Sequence, residues 1–508
     1  MSSAMERLID RTPLEIWFMI SSFIPRPFLR QLYAVNRTFL EISAQTRYEE
    51  VTFYKFDKNT KSLCRILNDP STGRGVLTRR VKVQPWLVQP RVKPSKKRSF
   101  WNFVKGALDP QFAQRKTQAW VEKRMKKDIK RVSDTVSGLE NLSEYSLEWK
   151  EDWGYHRELY QAFTAPLISR IGDRLVKLSL NVPMGVLSEL ARINLPHLEH
   201  FSISLCAKKL SQTEIKYIFD AFVIFVNNLL HTLTSLSITS RVPSPELDLA
   251  TFFQMLGVFP RLQRFSLCMP FDGSQLSDTG VVVQFLNKHR ETLRSIQFTT
   301  NRCSATANPT EQSKLWIPNI LSSLDTPYPQ LCDVHIALRP LKADLTPIFK
   351  FLSLHSGQIS HLSLVEQNLK YAEVAELLNT ILNDSEQSPL RRLHLRLERL
   401  SRPLLEMLAS RLPSLARLEL TFAEVIATAA HAGHDGALAH SKERQFELFR
   451  EQLRANRQVY ASWAINTIGI HNESRYPPFS SLERILVNVI PGLAHFIDLK
   501  PEPDGRHL

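Results

Sequence analysis

Only five cysteines occur in 508 residues, at Cys64, Cys206, Cys268, Cys303 and Cys332, and no two stand at C-x-x-C spacing. That argues against a disulfide framework and a thiolate zinc site, and points to a reducing compartment, cytoplasm or nucleus. Long apolar runs are missing too. The best candidate, Ile218 to Leu230, is interrupted by Asp220, Asn227 and Asn228. It falls short of the ~20 residues a bilayer crossing needs, so a buried helix and no membrane association are expected. The first ten residues carry Glu6 and Asp10 and no apolar core, so no secretory signal is expected. No G-x-S-x-G elbow, Walker loop or H-E-x-x-H motif occurs. The expectation is a non-enzyme with no catalytic residue, no metal and no cofactor. His431, His434 and His440 lie with Asp435 in an Ala/Gly/His-rich stretch without a nearby cysteine. They are expected in a flexible insertion near 423–442, not a metal site.

The net charge of +15 suggests nucleic acid until it is located. Between Arg91 and Arg131 there are 14 lysines and arginines against Asp109, Glu122 and Asp128, a local excess of +11 that leaves +4 elsewhere. The segment 91–136 reads as a basic insertion, a loop followed by an amphipathic helix. In that helix Trp120, Met125, Ile129, Val132 and Val136 share a face, and lysines and arginines crowd the rest. Lys96-Lys97-Arg98 is a candidate nuclear-import signal. Aromatics interleaved for base stacking are few, Trp101 and Phe103 among them, so nucleic acid is not expected as a partner.

What the chain does have is a repeat. Apolar, two variable, apolar, one variable, apolar recurs as LVKLSL from Leu175, LEHFSI from Leu198, LTSLSI from Leu233 and LQRFSL from Leu262. It continues as LRSIQF from Leu293, LCDVHI from Leu331, ISHLSL from Ile359, LRRLHL from Leu390 and LARLEL from Leu415. LSEYSL from Leu142 and LERILV from Leu482 read as outlying copies. Leu175 to Leu415 is 240 residues in eight intervals, 30 on average. The last apolar positions alternate with period two, the pattern of a strand with one buried face. Helically spaced apolar residues fill the gaps, as at Val374, Leu377, Leu378 and Ile381, and before four of the copies a proline, Pro196, Pro260, Pro329 or Pro413, stops the helix two residues ahead of the repeat. A unit this small cannot bury its apolar face alone, so stacking is expected, in a solenoid with strands concave and helices convex.

Residues Leu8 to Tyr48 differ. Pro13-Leu14-Glu15-Ile16 opens a helix, Ile16, Ile20, Phe23 and Ile24 form one stripe, and Pro25 and Pro27 break the chain before Leu29, Leu32, Val35 and Phe39. Three short helices bury little, which leaves apolar surface for a partner. This stretch resembles an F-box, and the repeats behind it resemble the longer, less regular leucine-rich repeats of F-box proteins. Together with a strand near Val81 to Val83 and Pro85-Trp86, they resemble the large F-box-like families of filamentous fungi. The expected fold is therefore α/β, a three-helix module (1–50) ahead of the solenoid (137–490). A linker with the first strand (51–90) lies between them, and a tail (491–508) follows. The resemblance implies the substrate-recognition subunit of a Skp–cullin–F-box ubiquitin ligase. Pro13, Leu14, Glu15, Ile16, Ile20, Phe23, Ile24, Pro25, Leu29, Leu32 and Val35 would dock the Skp-type adaptor, which joins the cullin scaffold.

An unknown protein substrate is expected on the concave strand face. Its outward residues include Lys177, His200, Arg264, His335, Arg392, His394, Arg396, Arg417 and Arg484, with Asp333 and Glu419 among them. Arginines in register could hold carboxylates or phosphates bidentately. The alternative is a repeat scaffold without a ubiquitin role, with the helical module as its N-terminal cap.

Overall fold

Two apolar residues, one skipped, set every strand of this chain. In the computed structural model a strand begins two residues after the first apolar position of each copy: Leu175 precedes Lys177, Leu233 precedes Ser235 and Leu390 precedes Arg392. The structure describes residues 12–24, 26–29, 31–34, 37–85, 112–149, 157–207, 210–241, 244, 246–301, 314–339, 344–382, 388–427 and 442–499. The chain divides into two compact units, Met1–Ser204 with Asp220–Thr232, and Leu205–Phe219 with Leu233–Leu508.

In the first unit β1 (Glu50–Phe53), β2 (Arg80–Val83), β3 (Glu144–Glu148), β4 (Lys177–Asn181) and β5 (His200–Leu205) pair in parallel, in chain order. The second unit repeats the plan with β6 (Ser235–Ser240), β7 (Arg264–Pro270), β8 (Ser295–Asn301), β9 (Asp333–Ala337) and β10 (His361–Leu369). It ends with β11 (Arg392–Ser401), β12 (Arg417–Ile426), β13 (Thr467–Asn472) and β14 (His495–Asp498). Parallel neighbours need a crossover, and here each is supplied by a helical turn or helix on one face of the sheet. The architecture is α/β and solenoid-like within each unit.

Burial follows the pattern. Leu175, Leu198, Leu262, Leu331, Leu390 and Leu415 are fully buried, and so are the inward strand residues Leu178, Leu267, Val334, Leu395 and Leu418. The residues between them alternate to half-exposed, as in β8. Phe265 of β7 lies 5.9 Å from Phe253 and 5.3 Å from Phe285, ring centre to ring centre, and so joins the strand to the helices Leu249–Met255 and Gly280–Lys288.

Two buried histidines join helix ends to the turns of the preceding repeats. His289, at the end of the helix Gly280–Lys288, has Nδ1 2.7 Å from the Phe285 carbonyl, while its Nε2 accepts the Phe259 N–H at 2.8 Å. His355 repeats this geometry after the helix Thr346–Leu354, with Nδ1 2.7 Å from the Phe351 carbonyl and Nε2 accepting the Tyr328 N–H at 3.0 Å. Each ring lies tilted against its own phenylalanine, Phe285 or Phe351, at 4.5 Å and 4.6 Å between centres. In both cases the N–H received belongs to the residue before a helix-stopping proline, Pro260 or Pro329. The imidazole therefore ties one repeat to the turn of the one before it. Trp463 does the same by donation, its Nε1–H reaching the carbonyl of Leu412 at 3.0 Å, just before Pro413.

Several sequence expectations change. LERILV is helical, within Phe479–Val489: Leu482, Ile485, Leu486 and Val489 are all buried, the spacing of a helix face. The repeat copy it displaced is INTIGI from Ile465, which forms β13. The expected tail contributes β14, paired with β13. The segment 51–90 holds two strands, not one, joined by the helix Lys58–Asn68, in which Asp57 caps the Thr60 N–H. The helical part of the basic segment, Phe112–Ser137, is the crossover helix between β2 and β3, so it belongs to the array and does not interrupt it. Ile129, Val132 and Val136 are buried, and Ser133 Oγ donates to the Ala162 carbonyl at 2.9 Å. β12 continues to Ile426, past the expected start of the insertion at 423.

The returns from helix to strand are short, from Arg411 to Arg417 at one extreme to Ala455 to Thr467 at the other. The large differences in repeat length fall after strands instead, between Val83 and Phe112, Asn301 and Trp316, and Ile426 and Lys442.

Candidate functional site

Two surfaces carry the residues expected to bind partners. The first is the N-terminal module, in the first unit. The helix Leu14–Ser22 starts behind Pro13, a turn Arg26–Leu29 and a 3-10 turn Leu32–Ala34 follow, and the helix Arg37–Tyr48 leads to β1. Its small core uses Trp17, edge-on to Phe39 at 5.5 Å, with Leu29 and Ile42 buried. The rest of the stripe is left outside: Ile16 is 39% exposed, Met19 54%, Ile20 42% and Phe23 82%, with Phe28 at 58%. Pro13 and Glu15 are exposed as well, and Ile24 and Leu32 are half-buried. Leu29 is corrected: at 4% exposure it holds the module together and offers no surface to a partner. Pro25 and Val35 lie outside the described residues, and nothing is described of the Leu14 side chain.

The second surface is the strand face turned away from the helices. The expected residues do not form one site. Lys177 and His200 are cross-strand neighbours in the first unit, and Lys177 reaches Glu144 at 3.5 Å. Arg264 lies between Ser235 and Ser295 in the second unit. Arg484 is corrected: it sits on the helix Phe479–Val489, because the apolar spacing around it is helical.

The structure does bring together His335, Arg392, His394 and Arg417. One row across the sheet reads Asp333, His361, Arg392, Arg417, Thr467 on β9 to β13. The row beside it reads His335, Ser363, His394, Glu419, Gly469. Together, from β9 to β12, they line a depression of about 480 Å³. Arg417 is spent internally, its Nε donating to Glu419 at 2.7 Å. Arg396 is spent too, on Asn368 at 2.7 Å and on Glu473. Ser363 Oγ and His394 Nδ1 are 3.1 Å apart, and Glu419 lies 3.9 Å from the same nitrogen. Burial pushes His335 down to about 4, with the His394 charge acting in the same direction and Asp333 against it. Burial, then Arg392, also lowers His361, again opposed by Asp333. The imidazoles of His335 and His361 are therefore neutral at pH 7. His361 was missed in the sequence although it occupies the same offset in ISHLSL as Arg392 does in LRRLHL.

Among the described residues no group of three or more His, Cys, Asp or Glu could hold a metal ion. No described helix is long and apolar enough to cross a membrane. On the basic helix Lys123, Arg124, Lys126, Lys127 and Lys130 are exposed, and Arg124 approaches the buried Asp128 at 3.9 Å. Lys96, Lys97 and Arg98, the expected import signal, lie outside the described residues, as do His431, His434 and His440. Compared with known proteins, the chain matches no family model and no curated sequence.

Proposed function

We propose that this protein is the substrate-recognition subunit of a Skp–cullin–F-box type ubiquitin ligase, with the N-terminal module docking the adaptor and the strand face capturing a protein. The observation that carries this reading is the stripe Ile16, Met19, Ile20 and Phe23. Three large apolar side chains on one short helix, and Phe23 just past its end, are partly or largely exposed, where a soluble surface would place polar groups. Burying a fully exposed side chain of this size is worth about 1.5–3 kcal/mol, which Phe23 approaches and the other three would gain in part, a drive to acquire a partner. The repeats behind the module suit a receptor, since stacked units make extended binding surfaces.

The scaffold alternative also has support. The helix Arg37–Tyr48 runs directly into β1, as a cap would. A cap, however, leaves the stripe without a purpose.

The test is capture of the purified Skp-type adaptor by the full chain. Ile20→Asp with Phe23→Asp is expected to weaken capture at least 100-fold while the melting temperature stays within a few degrees, because neither side chain contributes to the core. Unchanged capture by the double variant, or none by the wild type, would refute the reading and leave the scaffold.

A further inference from the structure

We propose that the depression over β9 to β12 binds a carboxylate side chain of an extended acidic peptide, with Arg392 as its direct contact. This deepens the receptor reading by naming the chemistry of the captured segment, and rests on it only for biological purpose.

Three observations carry it. First, Arg392 and Arg417 are register partners on adjacent strands, about 4.8 Å apart between backbones, and like charges directly opposite each other destabilise a sheet. Arg417 is neutralised by Glu419, but Arg392 has no carboxylate within ion-pair distance among the described residues. Of the two guanidinium groups, that of Arg392 is the one exposed and open to an external anion. Second, the walls supply the rest of a carboxylate site. Leu362 and Leu393 line it alongside the polar groups, and His361 stands on the other side of Arg392. The guanidinium fork matches a carboxylate with two parallel N–H donors. Third, the other ionised groups are engaged among themselves or lie away from Arg392. The ionised groups facing this point are Asp333 from β9, Arg392 from β11, and Arg417 with Glu419 from β12. His335, His361 and His394 complete the ring of titratable groups. Asp333 is two strands from Arg392 and accepts the Ser295 hydroxyl at 2.8 Å. One monoanion therefore completes the pairing that Arg392 lacks.

A proton effect follows. Burial, and after it Arg392, hold His361 below its ordinary range, and an anion on Arg392 offsets the Arg392 part of that effect. Peptide binding then favours the protonated imidazole, so affinity rises as the pH falls from 7.5 to 6.0.

The test uses the full chain and a fluorescently labelled Ser-Glu-Ser-Glu-Ser-Glu peptide, with its Gln counterpart as control, read by anisotropy at fixed salt. The Glu peptide is expected to bind at least tenfold more tightly than the Gln peptide. Arg392→Gln should erase that preference without lowering the melting temperature, since the side chain is exposed and its removal relieves a like-charge pair. His361→Gln should keep the affinity at pH 7.5 and abolish its increase at pH 6.0. Equal binding by the Arg392→Gln variant would place the peptide on the basic helix 112–137 and overturn the proposal. So would inorganic phosphate bound through Arg392 with no preference for Glu over Gln. Adaptor capture is scored on the same preparations: its loss alone removes the ligase reading, and loss of peptide preference alone removes this one.

Discussion

Replacing Phe265 with alanine is expected to cost about 3–5 kcal/mol of stability, read as a fall in the urea midpoint. The ring is 1% exposed and lies within 6.4 Å of three others, Phe253, Phe285 and Phe298, centre to centre. These come from two helices and the neighbouring strand, so no single element can move in to fill the void. Lost transfer energy and an uncollapsed cavity therefore add, and the edge-to-face contacts with Phe253 and Phe298 are forfeited as well. The neighbouring residue on the other face supplies the control. Ser266→Ala, half-exposed and lining nothing buried, should cost under about 0.5 kcal/mol. If both substitutions cost the same, the assignment of faces is wrong.

His289→Leu is the second large effect, about 2–4 kcal/mol at pH 7.5. The leucine keeps the volume but leaves the Phe259 N–H and the Phe285 carbonyl without the imidazole, and an unsatisfied buried group costs about 1–3 kcal/mol. This loss should shrink with acidity. Burial holds His289 and His355 below their ordinary value of 6.5, in a neutral tautomer that uses both nitrogens. A protonated Nε2 would face an N–H it can no longer accept. The unfolded chain takes up protons at about 6.5 and the folded one only at lower pH, so stability is full above 6.5 and drains away as the pH falls below it. His335, pushed down to about 4, adds at most about 3 kcal/mol to this acid loss. Asp57, Asp69 and Asp344 move the other way from burial, held below 3.8 by hydrogen bonds from Thr60, Ser71 and Thr346. They lose their contribution only below about pH 4. Melts of wild type and His289→Leu at pH 7.5 and 5.0 should therefore converge at the lower pH. A gap that stays constant would mean that the imidazole is not the titrating staple.

The repeat was legible because burial in a strand has period two and leaves little freedom: the same offset recurs wherever a leucine must meet its neighbour's leucine. Where the pattern failed, two periods competed. In LERILV, Leu482, Ile485 and Leu486 satisfy a helix as well as a strand, and only packing decides. β13 escaped notice because isoleucines replace leucines, and β14 because its copy ends on Asp498 at the edge of the sheet. The site was legible only in part. His335, Arg392, His394 and Arg417 could be placed on one face by offset alone. That Arg396 meets Glu473 could not, since the partner arrives from a distant part of the chain. Nor could the fate of Leu29: in a module this small, any apolar residue may be core or contact until neighbours are known.

The largest differences in repeat length sit after strands, and those before them are smaller. Chain length and leucine frame are thereby uncoupled on one edge only. Residues added beyond Ala427 leave every leucine in place, whereas one residue added between Leu415 and Arg417 would turn all of β12 inside out. The frame tolerates growth when the chain travels from sheet to helix and forbids it on the way back, so variation among chains built on this plan should gather along a single border.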